Sequence, residues 1–356
     1  MIAAPRYGVG GAVLVVLLLP AAAVAAPRPA LSVQDEAAIT CNHWGLRAPA
    51  LAAAAELGAT VIRFNLTQWS RRSCPGAATA AAAITAAGLR PQLTLTGSVG
   101  WIAAQVRRNR RLVSTYAIWN EPDLALWRCC SAPFTRSRGP WYVPGDPAVY
   151  RVAYLRAYGL VKRLDPGSKV LFGELSPLGM SHGKPSGEGR SGARWVEQVL
   201  RPGRPLRADG IAIHPYTWHW SPQVDGAYYR ELVAFKRMLR RYARRGMLIR
   251  PGRGLRPVPI YNTEYGQSRA DGLRGDAANA VQAYRYARRL GFRQHNQYMI
   301  FPAFGRDRVP NEWNTAAVDE KCRPGALYFA LRRAATGRND KRSAVAWPRC
   351  PMAIGL

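Results

Sequence analysis

The stretch YAIWNEPDL, residues 116–124, joins a short apolar run to a polar end. Its first four residues are aromatic or aliphatic, as expected of a strand inside a core. Asn120 and Glu121 follow directly, and Pro122 fixes the end of the strand. A carboxylate at the edge of a core is costly unless it is paired or used in chemistry. The stretch therefore predicts a buried strand whose carboxyl end carries a functional site.

Short apolar runs of this kind alternate along the chain with longer helical patterns rich in Ala and Arg. Such alternation favours a parallel sheet covered by helices. Strands are predicted at 38–42, 61–65, 92–96, 116–120, 170–174, 210–214, 259–262 and 296–301. Helices are predicted at 48–57, 76–88, 101–112, 147–164, 190–200, 226–245, 275–290 and 325–335. Eight such units predict a single (β/α)8 TIM barrel with long βα loops. A doubly wound sheet is the alternative, but it would usually place a Gly-rich turn after the first strand, and residues 40–45 do not form one.

The amino terminus predicts a secretory signal peptide over residues 1–25. A basic residue precedes a short apolar run over 12–20, and small residues at 23–25 resemble a cleavage site. An uncleaved anchor is the alternative, although the run is short for a membrane span. We expect an exported, extracellular protein with no stable membrane insertion after cleavage. The predicted organisation continues with a short extension over 26–35, the barrel over 36–340 and a tail over 341–356.

Six cysteines, at positions 41, 74, 129, 130, 322 and 350, suit an exported protein with disulfide bonds. Six cysteines allow 15 sets of pairings, so the sequence alone does not fix the connectivity. We expect Cys322 to pair with Cys350, pinning the tail, and Cys41 to pair with Cys74 across neighbouring loops. A zinc site is the alternative, but no CxxC spacing supports it.

The net charge is +30, and 45 of the 51 basic residues are arginine. This charge allows two interpretations. It suggests an anionic partner, such as a cell-wall polymer, an acidic glycan or nucleic acid. It also matches the Arg- and Ala-rich composition that a GC-rich genome produces, and this second interpretation is favoured. Because the arginines are scattered over helices and are not grouped with aromatic residues, we expect no nucleic-acid binding.

Polar residues lie at or just beyond the ends of four of the predicted strands, at the end of the barrel where active sites lie. The second strand carries Arg63, the sixth His214 and Tyr216, and the seventh Glu264, in addition to Asn120 and Glu121 on the fourth. Two carboxyl groups across a barrel mouth suit glycoside cleavage: one must be protonated to act as the acid, and the other must be ionised. Arg63 beside Glu264 would keep that carboxylate ionised.

These motifs resemble the clan A glycoside hydrolases, with families 5 and 39 the most similar. Asn120-Glu121-Pro122 resembles the acid/base motif of the fourth strand, and Thr263-Glu264-Tyr-Gly the nucleophile motif of the seventh. His214-Pro-Tyr216 and Arg63 are similar to supporting residues of the sixth and second strands. The resemblance implies a general acid/base at Glu121 and a nucleophile at Glu264. It also implies that Asn120 binds the hydroxyl next to the reacting carbon, that Tyr216 and Arg63 steer Glu264, and that His214 serves orientation.

The sequence departs from this pattern at two positions. The third predicted strand lacks the His that family 5 members usually carry there, and the eighth strand lacks the Trp that floors their sugar site. Phe301 or Phe304 is expected to replace that Trp as the floor of the sugar site. Tryptophan rings stack on the faces of sugars. Trp218 and Trp220, next to His214 and Tyr216, are the strongest candidates for substrate binding.

The sequence thus predicts a secreted retaining β-glycosidase that hydrolyses a polysaccharide or oligosaccharide as a monomer, without a cofactor. A carbohydrate-binding barrel that does not cut its ligand is the main alternative. A serine esterase is less favoured, because the GxSxG motif at 179–183 does not join a strand directly to a helix. No metal is expected, since His214, His219 and Glu264 have no standard ligand spacing.

Overall fold

In the computed structural model, the described residues are 27–68, 74, 77–123, 146–176, 192–201, 203–216, 224, 226–267, 276–302 and 315–350. Within them, eight parallel strands close into a barrel, in the order β1-β10-β9-β7-β5-β4-β3-β2. These strands are β1 (Ala30–Gln34), β2 (Ala59–Thr67), β3 (Arg90–Thr96), β4 (Thr115–Ile118), β5 (Lys169–Leu175), β7 (Gly210–Ile213), β9 (Ile260–Asn262) and β10 (Gln294–Tyr298). Two short strands outside the barrel, β6 (Leu206–Arg207) and β8 (Leu248–Ile249), pair with each other.

Eight α-helices cover the barrel in the described part of the chain. They are α1 (Arg47–Glu56), α2 (Ala77–Ala86), α3 (Val99–Asn109), α4 (Pro147–Leu164), α5 (Gly192–Leu200), α6 (Gly226–Arg244), α7 (Asp276–Arg289) and α8 (Ala326–Thr336). The predicted (β/α)8 barrel is therefore confirmed, and seven strands and all eight helices overlap their predicted positions. None of the described helices combines the length and the apolar character that a membrane span needs.

The prediction of the first strand was wrong. The strand lies at Ala30–Gln34, and the predicted segment 38–42 instead overlaps a π-helical turn, Glu36–Thr40, that Asp35 caps through Ala38 N. Ser32 and Gln34 are buried in the barrel wall, where Ser32 Oγ accepts from Asn296 Nδ2 at 2.8 Å. Because these residues are polar, the strand lacks the continuous apolar run that predicts a buried strand. The barrel thus begins inside the segment 26–35 that the sequence assigned to an extension.

The eighth barrel strand also starts earlier than predicted, at Gln294 and not at 296. It ends at Tyr298, and Met299 follows with a φ of 67°. Its sequence, QHNQY, carries buried amide and imidazole side chains that bond to β1 and β9, such as Gln294 to Ser32 at 3.0 Å. As with β1, a polar interior replaces the apolar pattern expected of a barrel strand.

At the end of the barrel opposite the carboxyl ends of the strands, packed apolar side chains fill the interior. Tyr261 of β9 packs there with Ala117, Leu171 and Ala212. A Cβ atom at Gly210 would lie 2.3 Å from the Tyr261 ring, so only glycine leaves room for this plug. The barrel is therefore polar at the carboxyl ends of its strands and closed by packed side chains at the other end.

Both expected disulfide bonds are present, Cys41–Cys74 and Cys322–Cys350. Cys41 follows the π-helical turn, and Cys74 lies in the connection after β2. Cys322–Cys350 fixes the segment after α8, where Trp347 packs on Phe301 and Tyr328. The signal peptide, the GxSxG motif, Cys129 and Cys130 lie outside the described residues.

Candidate active site

Arg63 is the centre of the polar cluster at the carboxyl ends of the strands. It is completely buried, and it donates to four side chains. Nη1 donates to Glu264 Oε2 at 2.7 Å and to Gln34 Oε1, and Nη2 donates to Asn120 Oδ1 at 2.7 Å. Nε and Nη2 donate to the two carboxylate oxygens of Glu174 at 3.0 and 2.5 Å. Arg63 thereby ties together residues from β1, β2, β5 and the ends of β4 and β9.

The end of β4 bends so that two consecutive side chains reach the site. Trp119 and Glu121 have φ values of 64° and 46°, which break the alternation of a regular strand. The bent backbone is held by Asn120 N, which donates to Thr96 Oγ1 at 3.1 Å, and by Glu121 N, which donates to Glu174 O at 3.0 Å. Strain in this region costs energy that the surrounding contacts must offset, and it is typical of functional sites. Pro122 and this geometry let Asn120 and Glu121 serve the same site.

Glu121 and Glu264 face each other across the mouth of the barrel. One ligand atom each from Glu121, His214 and Glu264 lies within 4.8 Å of the other two, so two carboxylate oxygens lie within that distance. His214 Nδ1 lies 2.9 Å from Glu121 Oε1 and 3.9 Å from Glu264 Oε2. Tyr216 donates from its hydroxyl to Glu264 Oε1 at 2.9 Å. The two glutamates keep side-chain exposures of 17% and 14%, which leaves both accessible to a ligand.

The electrostatic environment favours the ionised form of Glu264. Burial alone would raise the pKa of this carboxyl group, but His214, Arg63 and the hydrogen bond from Tyr216 outweigh burial and lower the pKa below its ordinary value. Burial likewise lowers the pKa of His214, yet Glu264 and Glu121 raise it above its ordinary value. The cluster therefore holds an anion at Glu264 and favours a cationic imidazole between the two carboxyl groups.

Glu174 belongs to the site although the sequence did not assign it a role. It is the second-last residue of β5, has a φ of 55°, and its side chain is completely buried against Arg63. Its Oε2 lies 4.0 Å from His214 Nε2, a buried atom that has no hydrogen-bond partner among the described residues. The predicted fifth strand ended at this residue, so its position gave a signal, but the partner on β2 could not be deduced from spacing.

Gln34 and Glu36 form a second unpredicted group beside Glu264. Gln34 donates from Nε2 to Glu36 Oε1 at 2.7 Å, and Asn65 Nδ2 donates to the same oxygen at 3.1 Å. Glu36 is partly exposed. Burial, opposed by Arg63 and assisted by Glu264, raises the pKa of Glu36 to about 7. Glu36 therefore places at the mouth a carboxyl group that can carry a proton near neutral pH.

Asp123 lies just beyond Glu121 and bonds to the end of β5. Ser176 donates to its two carboxylate oxygens, from N and from Oγ, both at 3.0 Å. Burial raises the pKa of Asp123 to about 7, against the hydrogen bond from Ser176 N and with a contribution from Glu121. This contact anchors the segment that carries Glu121 to the neighbouring strand.

Glu121, His214 and Glu264 each offer one ligand atom, and these atoms lie close enough together to hold a metal ion. The hydrogen bonds of Glu264 count against it: Oε2 already accepts from Arg63 and Oε1 from Tyr216. A guanidinium group at 2.7 Å also repels a second cation.

The aromatic predictions have mixed outcomes. Phe301 is only 1% exposed and packs on Trp347, so the expectation that it forms the floor of a sugar site was wrong. Trp218, Trp220 and Phe304 lie outside the described residues. Trp44, on the loop after β1, is 41% exposed. By contrast, the structure brings together six of the eight predicted site residues: Arg63, Asn120, Glu121, His214, Tyr216 and Glu264.

No protein family's sequence profile matches the chain, and no curated protein matches it. Solved structures do share its fold. The β-glucosidase from Exiguobacterium marinum has a TM-score of 0.55 at 13% identity, over 84% of this chain and 88% of that one. The GH5_18 protein from Streptomyces cattleya, solved with GlcNAc, has a TM-score of 0.54 at 13% identity, over 89% and 83%. The glucosidase from Croceicoccus marinus has a TM-score of 0.54 at 14% identity, and this chain covers 62% of it. The resemblance to barrel glycosidases is thus confirmed for the fold.

Proposed function

We propose that this protein is a secreted retaining β-glycosidase that cleaves O-glycosidic bonds of a polysaccharide or oligosaccharide. The observation that carries the proposal is the approach of Glu121 and Glu264, whose carboxylate oxygens lie within 4.8 Å of each other. Retaining enzymes hold their two carboxyl groups about 5–5.5 Å apart, whereas inverting enzymes leave about 6.5–9.5 Å for a water molecule. The separation supports direct attack by one carboxylate on the sugar.

In the first step, Glu264 is the nucleophile. Arg63 and Tyr216 each donate to one of its oxygens, which orients the carboxylate and keeps it ionised. Glu264 attacks the anomeric carbon while Glu121 gives its proton to the departing glycosidic oxygen. A covalent glycosyl-enzyme forms, and the leaving group departs as a neutral alcohol.

In the second step, Glu121 acts as a base. It takes a proton from a water molecule, and the resulting hydroxide attacks the anomeric carbon and displaces Glu264. His214, at 2.9 Å from Glu121 Oε1, orients the carboxyl group through both steps. The sugar is released with the configuration it had in the substrate, because two inversions cancel.

Asn120 and Glu36 supply the contacts to the sugar ring. Asn120 Oδ1 accepts from Arg63, so its amide NH₂ group is turned toward other acceptors, which suits a hydroxyl next to the reacting carbon. Glu36 Oε1 is held by two amide groups, whereas Oε2 has no partner among the described side chains. This second oxygen suits a more distant hydroxyl of the same ring.

The test uses aryl glycosides of several β-linked sugars, followed by their 2-deoxy-2-fluoro derivatives. We expect release of the aryl alcohol from at least one sugar, and a covalent label on the peptide that contains Glu264. A label on Glu121 would reverse the two roles. Hydrolysis of an aryl acetate that is lost in Ser181→Ala, without turnover of any glycoside, would favour the esterase. Binding of polysaccharide without any turnover would favour the non-catalytic barrel. Loss of turnover with chelator, restored by zinc, would show that a metal takes part.

A further inference from the structure

The two ends of the barrel differ strongly in charge. The strands are parallel, so each connection from a strand to the next helix starts at the end that holds Glu121 and Glu264, and each connection from a helix to the next strand ends at the other. The eight strand-to-helix connections carry 13 acidic and 13 basic residues, with His counted as neutral. The seven helix-to-strand connections carry ten arginines and two aspartates, a net charge of +8. We name the latter end of the barrel, residues 57–58, 87–89, 110–114, 165–168, 201, 203–209, 245–259 and 290–293, the basal face.

The composition of the chain does not explain this segregation. An Arg-rich genome raises the number of arginines in all loops, and the connections at the candidate active site do carry 11, but 13 acidic residues balance them there, whereas the basal face has only two acidic residues. Helix dipoles explain only part of it. Arg110, Arg201 and Arg245 directly follow a helix, where the dipole favours a cation, but the other seven arginines lie further along the connections. Nine of the ten are exposed, and Arg250 is partly exposed.

The positive charges also crowd together across the lower end of the barrel. Arg90 begins β3, Lys169 begins β5, Arg250 follows β8 and Arg293 precedes β10. They converge around the Tyr261 plug, whose hydroxyl interacts electrostatically with Arg293, Arg250 and Arg90. Burial, with these three arginines, lowers the pKa of Lys169. Asp209, one of the two acids of the basal face, already pairs with Lys162 at 2.8 Å.

The chemistry of the basal face favours a polymer with repeated anionic groups. Guanidinium groups bind carboxylates and phosphates alike through two parallel hydrogen bonds. The arginines extend from Arg110 to Arg293 over several connections, so a chain with many charges can engage more of them than a small anion can. Leu255 is the one large apolar side chain that is exposed on the described part of this face. The face therefore offers neither the aromatic platform that single-stranded nucleic acid needs nor an apolar surface for insertion into lipid.

We propose that the basal face is a docking surface for a linear acidic polysaccharide. The choice of a polysaccharide over other polyanions rests on the proposed function, since a glycosidase encounters glycans. Docking through this face leaves the mouth of the barrel directed away from the bound chain. The protein can then remain attached to an acidic glycan while the site around Glu121 and Glu264 accepts a neighbouring substrate.

The test compares two variants that lose the same charge. The test variant carries Arg253→Gln, Arg256→Gln and Arg293→Gln on the basal face. The control carries Arg156→Gln, Arg230→Gln and Arg237→Gln, exposed residues on the outer surfaces of α4 and α6. Binding to immobilised polygalacturonate is measured over a series of salt concentrations, with neutral dextran as the blank. We expect the wild type to bind polygalacturonate and to lose affinity as salt rises.

In the test variant we expect affinity for polygalacturonate to fall at least about tenfold, and in the control less than about threefold. Equal losses in the two variants would show that only the total charge matters and would overturn the proposal. Tighter binding of the wild type to a 30-base-pair DNA duplex, or to vesicles containing phosphatidylglycerol, would also overturn it. The assay requires no turnover, so an absence of glycosidase activity would refute the proposed function without deciding the docking.

Discussion

Arg63 and Glu174 form a two-point ion pair in which both side chains are 0% exposed, directly beneath the carboxyl groups of Glu121 and Glu264. The guanidinium group of Arg63 also donates to Glu264 at 2.7 Å, so Glu174 and Glu264 share one cation. The negative charge of Glu174 therefore weakens the electrostatic stabilisation that Arg63 gives to the Glu264 carboxylate. A buried ion pair is seldom retained for stability alone, because desolvation offsets most of the attraction.

Replacing Glu174 with Gln should lower kcat and shift the acidic limb of the pH–kcat/KM profile to lower pH. Arg63 would then act on Glu264 alone, which lowers the pKa of Glu264 further and makes it a weaker nucleophile. The control is Glu56→Gln, which breaks the buried pair with Arg332 at the other end of the barrel. We expect both variants to lose stability on thermal unfolding, but only the first to change the pH profile. An unchanged profile in Glu174→Gln would leave it a purely structural role.

Replacing Glu264 with Ala should reduce turnover of an activated aryl glycoside by roughly 10³-fold or more. The variant lacks the nucleophile but keeps Glu121. Azide, which is small and anionic, should then enter the space left by the carboxylate, restore part of the rate and yield a glycosyl azide of inverted configuration. Glu320→Ala, which changes an exposed glutamate after β10, serves as the control and should keep full activity. A glycosyl azide of retained configuration would contradict the assignment.

Replacing Glu121 with Ala should affect substrates according to their leaving groups. A dinitrophenyl glycoside needs little protonation, so its glycosylation step should be nearly unaffected, whereas glycosides of poor leaving groups should react at least about 10²-fold more slowly. Measuring kcat/KM over a series of substituted phenols gives a steeper dependence on leaving-group pKa than in the wild type. Equal losses along the series would remove Glu121 from the acid role.

Glu36 should make the stability of the protein depend on pH. Its folded-state pKa, raised by burial to about 7, lies above the ordinary value of 4.5. Between these values the folded state holds a proton that the unfolded state releases, so the free energy of unfolding falls as pH rises from 4.5 to 7. Because Glu36 is partly exposed, we expect this loss to be about 1–2 kcal/mol.

Urea unfolding of the wild type and of Glu36→Gln at pH 4.5, 6 and 8 measures this contribution. The free energy of unfolding of the wild type, minus that of Glu36→Gln, should fall by about 1–2 kcal/mol between pH 4.5 and pH 8. Glu320→Gln is the matched control, and its difference from the wild type should stay constant. A constant difference for Glu36→Gln as well would mean that Glu36 is not protonated in the folded protein near neutral pH.

The sequence predicted the fold through strands whose cores are apolar. β2, β3, β4, β5 and β7 follow such a pattern, and their last residues placed Arg63, Glu121 and His214 at one end. The pattern failed at β1 and β10, where Ser32, Gln294 and Asn296 bond to one another inside the barrel wall. A polar side chain satisfied by a partner on a distant strand looks, in the sequence alone, like a loop residue.

The sequence predicted those site residues whose own motif indicates a chemical role. It did not predict the residues whose role depends on a contact with a distant part of the chain. Glu121 and Glu264 stand out because each ends a strand in a polar motif. Glu174, Gln34 and Glu36 acquire their roles only through contacts with Arg63 and Asn65, which lie elsewhere in the chain. Such contacts depend on strand order and on bent strand ends, which local spacing does not encode.

The bond between Cys41 and Cys74 links the turn that carries Glu36 to the segment that follows β2, the strand that carries Arg63. A cross-link that spans 33 residues stabilises a fold by about 3–4 kcal/mol in the chain-entropy description. In a reducing cytosol this link does not persist, and the turn bearing Glu36 loses its tether. The mouth of the barrel would thus be looser in the reduced chain than in the oxidised chain, which ties the shape of the site to the redox state of its surroundings.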